Sequence, residues 1–233
     1  HGRGWTEWEL VRSARPRFPG HRQPKVPLWG WEDEADPRVM ARKIRAASDS
    51  GIDAFLFDWY YYDDGPFLER ALLEGFHGAP NCGELAYALM WANHDWTDIH
   101  PLPADGSARL LHRGAVTPES FERMTDYMIG THFRHPSYWK IDGCPYFSIY
   151  EVYQLAAGLG GWENAAAALG RFRSKVRKAG FPGLHLNAVL WGVQLLPGET
   201  AAGCPEEIVR RLRFDSVTSY VWVHHARLDR FPR

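Results

Sequence analysis

Cysteine is scarce in this sequence: Cys82, Cys144 and Cys204 stand far apart and form no CxxC pair. That pattern implies neither a disulfide framework nor a zinc site. No apolar run approaches the ~18 residues a membrane-spanning helix needs, and no basic stretch followed by an apolar one opens the chain. An excess of one charge is missing too, since 27 Lys and Arg face 28 Asp and Glu, a formal net charge of −1, with no run of like charge. The electrostatic footprint of a nucleic-acid binder is therefore absent. Neither GxGxxG nor GxxxxGKS/T follows any strand-like segment, which argues against dinucleotide binding and nucleotide hydrolysis. GxSxG is absent, and neither Ser148 nor Ser219 lies in a Gly-flanked elbow, which speaks against a serine hydrolase. His132 with His135 and His224 with His225 lie near each other, but no HExxH spacing accompanies them, so no metal and no other cofactor is expected.

Aromatic residues, by contrast, are plentiful: 11 Trp, 10 Tyr and 12 Phe among 233 residues. A chain of this length buries roughly 70% of the surface its unfolded form exposes, and that core does not need so many indoles. Aromatic rings join large apolar faces to polar edges, so some of them are expected to line a concave ligand site, with sugars an obvious ligand.

The chain opens, over residues 1 to 36, as a long irregular connection rich in Trp, Pro and Gly, and loops of that length usually carry function. Helical periodicity then begins at Asp36-Pro37 and runs to Gly51. It recurs over Pro66–Phe76, from Thr117-Pro118 onward, over Trp162–Val176 and after Pro205. Between these stretches lie five short apolar segments: Ile52–Phe57, Leu85–Met90, Pro145–Glu151, Leu184–Trp191 and Phe214–Trp222. Alternation of this kind predicts an α/β fold with a parallel sheet and outer helices. Polar and aromatic residues recur at the C-terminal strand tips, where a (β/α)8 TIM-barrel builds its active site. The expectation is therefore one incomplete TIM-barrel-like domain over residues 1–233, about five of eight strands being present. The chain starts with His1 inside a loop-like stretch, so it reads as a piece of a longer protein.

Trp59, Tyr60, Trp91, Asn93, His94, Trp96, Tyr150, Trp191, Tyr220 and Trp222 fall at these tips and are the expected sugar-binding residues. Glycoside cleavage requires two carboxyl groups, one protonated and one ionised. Among Asp58, Asp95, Glu151, Glu7 and Glu9, position favours Asp58 and Glu151, each at a strand end beside aromatics that raise a carboxyl pKa. The competing reading is that Asp58 caps a loop amide or pairs with an arginine and that Glu151 starts a helix.

The blocks "GRGWTEWELVRSARPRFPGHRQPKVPLWG", "GIDAFLFDWYYYDDGPFLERALLEGF", "ALMWANHDW" and "HFRHPSYWKIDGCPYFSIYE" together resemble the glycoside hydrolase family 99-like group, which includes the WbsX-like glycosyltransferases. The resemblance implies a (β/α)8 barrel acting on glycans. Family 99 hydrolases are retaining endo-acting α-mannosidases and mannanases, whereas the WbsX-like branch is associated with polysaccharide and O-antigen gene clusters. It also implies catalytic glutamates in an Asn-Glu-Trp-x-Glu-like segment on a late strand, expected beyond Arg233. Glu7-Trp8-Glu9 belongs to an early block and does not match that segment. The expected function is thus a glycan-active protein, hydrolase first, with glycosyl transfer or non-catalytic glycan binding as alternatives.

Overall fold

Five short apolar segments must each cover two faces, and a parallel sheet backed by helices does so. The structure, a computed structural model, describes residues 5–99, 104–191 and 204–221. Its elements in chain order are α1 (Trp8–Ser13), α2 (Pro37–Asp49), β1 (Ala54–Tyr62), β2 (Gly65–Phe67), a π-helical turn (Ala71–Phe76), β3 (Ala86–Trp91), β4 (Trp96–Thr97) and β5 (Leu110–His112). Then come α3 (Pro118–Met128), prolonged by a π-helical turn (Ile129–Phe133), β6 (Lys140–Ile141), β7 (Cys144–Ile149), α4 (Val152–Gly158), α5 (Trp162–Lys178), β8 (His185–Val189), α6 (Pro205–Leu212) and β9 (Ser216–Thr218).

β1, β3, β7, β8 and β9 lie side by side in that order, all parallel, while β2 and β6 add short antiparallel edges to β1 and β7. Among the described residues the sheet does not close into a barrel. Local chemistry sets the helix starts. Asp36 accepts from the Arg38 amide at 2.8 Å ahead of Pro37, and Thr117 accepts from Ser120 ahead of Pro118, so each proline occupies a position that needs no amide donor.

Side chains alternate along each strand, and the register decides who meets whom. Trp59, Trp91, Ile149 and Ala188 form one row across the sheet and face the helices. They pack with Met40 and Ile44 of α2, Phe121 and Met124 of α3, Leu169 and Phe172 of α5 and Leu212 of α6 in one continuous apolar core. Among the described residues, the other face carries a small buried apolar cluster, Met90, Val189 and Trp191, with Tyr150 against it.

Two expectations need correction. Pro66–Phe76 is not one helix: Tyr62 pairs with Gly65 across Asp63-Asp64, so the stretch opens as a hairpin, Gly65 taking φ +118°, a backbone region open mainly to glycine. Only Ala71–Phe76 is helical, as a π turn. The long opening segment also contains one turn of regular structure, α1.

Candidate functional site

The face of the sheet turned away from the helices carries the candidate site. Register aligns Asp58, Met90, Ser148, Asn187 and Ser216 across all five parallel strands. Past the end of β9, Tyr220 donates to Asp58 Oδ2 at 3.4 Å, a long and weak hydrogen bond. β9 stands four strands from β1. In a flat sheet that is roughly 19 Å, far beyond the reach of a tyrosine. The sheet is therefore strongly curved, and its concave face is a groove.

Rings line this groove without a gap. Phe67 meets Trp96 at 5.4 Å, Trp96 meets Tyr60 at 5.0 Å and Tyr60 meets His94 at 5.8 Å. From there His94 contacts Tyr150 at 6.1 Å, and Tyr150 contacts Trp191 at 5.2 Å and Tyr220 at 5.0 Å. Phe67 is supplied by the β1–β2 hairpin, and the β4–β5 hairpin brings Trp96 beside it. Beneath the rings, Ser148 and Thr218 both donate to Asn187 Oδ1, at 2.8 and 2.9 Å, and Asn187 Nδ2 donates to Ser216 Oγ at 3.0 Å. This line fixes the amide orientation of a fully buried asparagine.

Burial pushes the Asp58 carboxyl above its ordinary range, while Tyr220's donation and the nearby His94 pull it partly back. Burial first, then the charge of Asp58, raises Tyr60 to about 12 and also raises Tyr220, so both phenols remain donors at neutral pH. A carboxyl beside two phenols can hand a proton to, or take one from, a hydroxyl lying over the rings.

Tyr60, His94, Trp96, Tyr150, Trp191, Tyr220 and Asp58, singled out from the sequence, thus come together. Trp59 and Trp91 do not: both are buried on the helix side, because an odd step along a strand reverses the face. Trp59 Nε1 donates to Glu69 at 2.6 Å and Trp91 Nε1 to the Tyr61 carbonyl at 3.1 Å. Asn93 is also withdrawn, its amide bridging both the N–H and the carbonyl of Glu151 at 2.7 Å and tying the ends of β3 and β7 together. Glu151 is buried and accepts from the Tyr153 amide as the cap of α4, the competing reading of that residue. Asp95 accepts from the Gly114 amide at 2.9 Å. Trp222, His224 and His225 lie outside the described residues.

Sequence reasoning missed Phe67, Asn187 and Glu69. An Asp-Asp-Gly turn signal preceded the first, and a polar residue at an inward position of an apolar strand marked the second. Nothing local marked Glu69, whose carboxylate sits behind β1 and accepts from Trp59 and from Tyr127 at 2.7 Å, with His132 at 3.4 Å. The described residues contain no group of three His, Cys, Asp or Glu able to hold a metal, and no helix among them is long and apolar enough to cross a membrane. A cavity of about 380 Å³ lies among α4, α5 and α6, lined by Tyr153, Trp162, Cys204, Glu207, Ile208 and Arg211. Arg211 there pairs with Glu163 and lies over Trp162, whereas the rings singled out from the sequence gather in the groove, which is the candidate site.

Comparison with known proteins gives a consistent placement. The model of a family described as glycosyltransferase WbsX matches residues 1–220. The uncharacterized protein WxcX of Xanthomonas campestris pv. campestris is 27% identical over 186 residues, which is 79% of this chain and 25% of WxcX; two strains carry it. The chain thus spans about a quarter of the curated relatives it matches. A solved GH99 endo-alpha-mannosidase from Bacteroides thetaiotaomicron is similar over 84% of this chain and 47% of its own, with TM-score 0.51 and 16% identity. Its complex with bis-tris-propane gives 0.52 at the same identity, over 50% of that chain. At such identity the likeness speaks for the fold: the curved parallel sheet corresponds to about half of a mannosidase of TIM-barrel type.

Proposed function

Because the chain belongs to the family described as glycosyltransferase WbsX, we propose that it is a carbohydrate-active domain, one glycan-processing unit over residues 1–233, whose concave groove holds a sugar chain. The observation that carries this reading is the unbroken arc of rings from Phe67 to Tyr220 around Asp58. Aromatic faces suit the C–H faces of pyranose rings, and the phenols of Tyr60 and Tyr220 suit their hydroxyls.

The reaction we favour is glycoside hydrolysis of an endo-mannosidase type, supported by the fold shared with the mannosidase structures. Asp58 is the groove carboxyl suited to holding a proton, because burial favours its neutral form. Glycosyl transfer is the second reading, favoured by the family's own description. Both reactions pass through an oxocarbenium-like state at a sugar C1, so one groove serves either, and the acceptor, water or a sugar hydroxyl, separates them.

Titration with manno-oligosaccharides, followed by calorimetry, tests the groove. Asp58→Asn and Tyr220→Ala are expected to weaken binding about tenfold each, the usual loss for one hydrogen bond or one stacking face. Unchanged affinity in both variants would overturn the assignment. Product analysis with a polypeptide covering the full length of the curated relatives separates the reactions: free reducing sugar means hydrolysis, an elongated glycan means transfer.

A further inference from the structure

Net charge near zero conceals a local asymmetry. From Leu10 to Trp31 the sequence holds Arg12, Arg15, Arg17, Arg22 and Lys25 but no Asp or Glu, the cations being spaced out by Pro16, Pro19, Pro24 and Pro27. The structure gives this segment a defined course. Trp8 Nε1 donates to the Glu32 carbonyl at 2.9 Å, the Arg17 amide donates to His21 Nδ1 at 3.2 Å, Phe18 stacks on His21 at 4.6 Å, and the Gly30 amide donates to the Pro27 carbonyl at 2.9 Å.

Held in this way, the loop turns its apolar side chains outward. Leu28 is 97% exposed, Val26 64%, Phe18 63% and Trp29 44%, and none of them belongs to either buried cluster. Leu28 and Val26 project, while Phe18, stacked on His21, and Trp29, with the Arg42 guanidinium over its ring at 4.8 Å, keep much of their surface open beside them. Four large apolar side chains exposed on one loop differ from the single exposed residues that every surface carries. The cations among them are uncompensated. Arg15, Arg17, Arg22 and Lys25 are all exposed, and none is ion-paired among the described residues. The acids that follow the loop are engaged elsewhere, Glu32 and Glu34 by Arg42 and Lys43 of α2.

Apolar tips set among free cations match one partner chemistry: a bilayer surface with anionic headgroups, where the tips enter the interface and the cations meet phosphate. A nucleic acid or an acidic polysaccharide would satisfy the cations and leave Leu28 and Val26 in water. We propose that residues 15–29 dock this protein on an anionic bilayer, with Phe18, Val26, Leu28 and Trp29 inserted and Arg15, Arg17, Arg22 and Lys25 on the headgroups. The proposal stands apart from the sugar reading, and vesicle binding does not probe the groove.

Co-sedimentation with phosphatidylcholine vesicles, with and without about 30 mol% phosphatidylglycerol, is the test. Each cation at such a surface is worth roughly fivefold in affinity, so changing Arg15, Arg17, Arg22 and Lys25 together to Gln should cost at least about 50-fold. Raising salt to about 0.5 M should release most of the bound protein. Leu28→Ser with Trp29→Ser should weaken binding about tenfold. Lipids brominated in the tail should quench tryptophan fluorescence in the parent protein, and less so in Trp29→Phe. All these side chains are exposed, so circular dichroism should show unchanged folding. Equal binding to neutral and anionic vesicles, or no binding to either, would overturn the proposal. So would preferential capture by single-stranded DNA or an acidic polysaccharide that ignores the Leu28 and Trp29 changes.

Discussion

Asp58 and Glu69 are carboxyls drawn from the same strand–hairpin unit, and position sends their pKa values in opposite directions. Asp58 has one weak donor and cannot offset its burial, so its neutral form gains. Burial acts on Glu69 too, but His132, Trp59 and Tyr127 together outweigh it, and its carboxyl lies below the ordinary range. For Glu69 the linkage follows directly: a folded-state pKa below the unfolded one contributes stability above the ordinary carboxylate range, and that contribution is lost as pH falls through it. Glu69→Gln should destabilise the protein by about 2–4 kcal/mol at neutral pH, because buried donors lose their ionised acceptor. The deficit relative to the parent, read from urea unfolding, should shrink as pH falls below the ordinary carboxylate range and through the lowered folded-state value, where the parent carboxylate itself takes up a proton. A variant as stable as the parent at pH 7 would show that the three donors do not depend on the charge.

At the scale of elements, what mattered was which neighbour a segment met. The apolar periodicity of Pro66–Phe76 was real, with Leu72 and Phe76 in the core, but the Asp-Asp-Gly turn before it claimed the first residues for β2. α4 entered only as the competing reading of Glu151, because a strand ends at Ile149 and a helix starts at Val152, leaving Glu151 to cap it. The return from β5 is just as tight. A Cβ on Gly114 would stand 2.3 Å from the Asn93 carbonyl oxygen and 2.5 Å from the His94 carbonyl carbon, both backbone atoms. Gly114→Ala must therefore push the 93–94 backbone, which carries one wall of the groove. A stability loss of about 1–3 kcal/mol is expected, as for other overpacked sites, with weaker sugar binding alongside it. Calorimetry showing normal affinity and an unchanged melting temperature would mean that the wall tolerates the shift.

For the whole molecule, the two faces of the sheet divide the work. The helix side holds the continuous core, so Phe172→Ala, which empties a buried ring position, should cost about 3–5 kcal/mol in urea unfolding. Trp96 lies half-buried on the groove side, and Trp96→Ala should cost under about 1.5 kcal/mol of stability while reducing glycan affinity. If the two variants lost equal stability, the groove would be part of the folding core and not a surface kept for a ligand.

From the sequence alone came the order of the five parallel strands and of α2, α3, α5 and α6, because apolar periodicity and proline-bearing helix starts are local properties. The clustering of rings at strand tips was legible for the same reason, and Tyr60, His94, Trp96, Tyr150, Trp191 and Tyr220 do meet. The face on which each ring stands was not. A single-residue step along a strand sends Trp59 and Trp91 into the core while their neighbours line the groove, and aromatic rings standing on both faces of one strand give no local sign of which face meets the helices. Only the curvature of the assembled sheet brings Tyr220 to Asp58, 162 residues apart, because distance across a sheet depends on how strands pair and twist together.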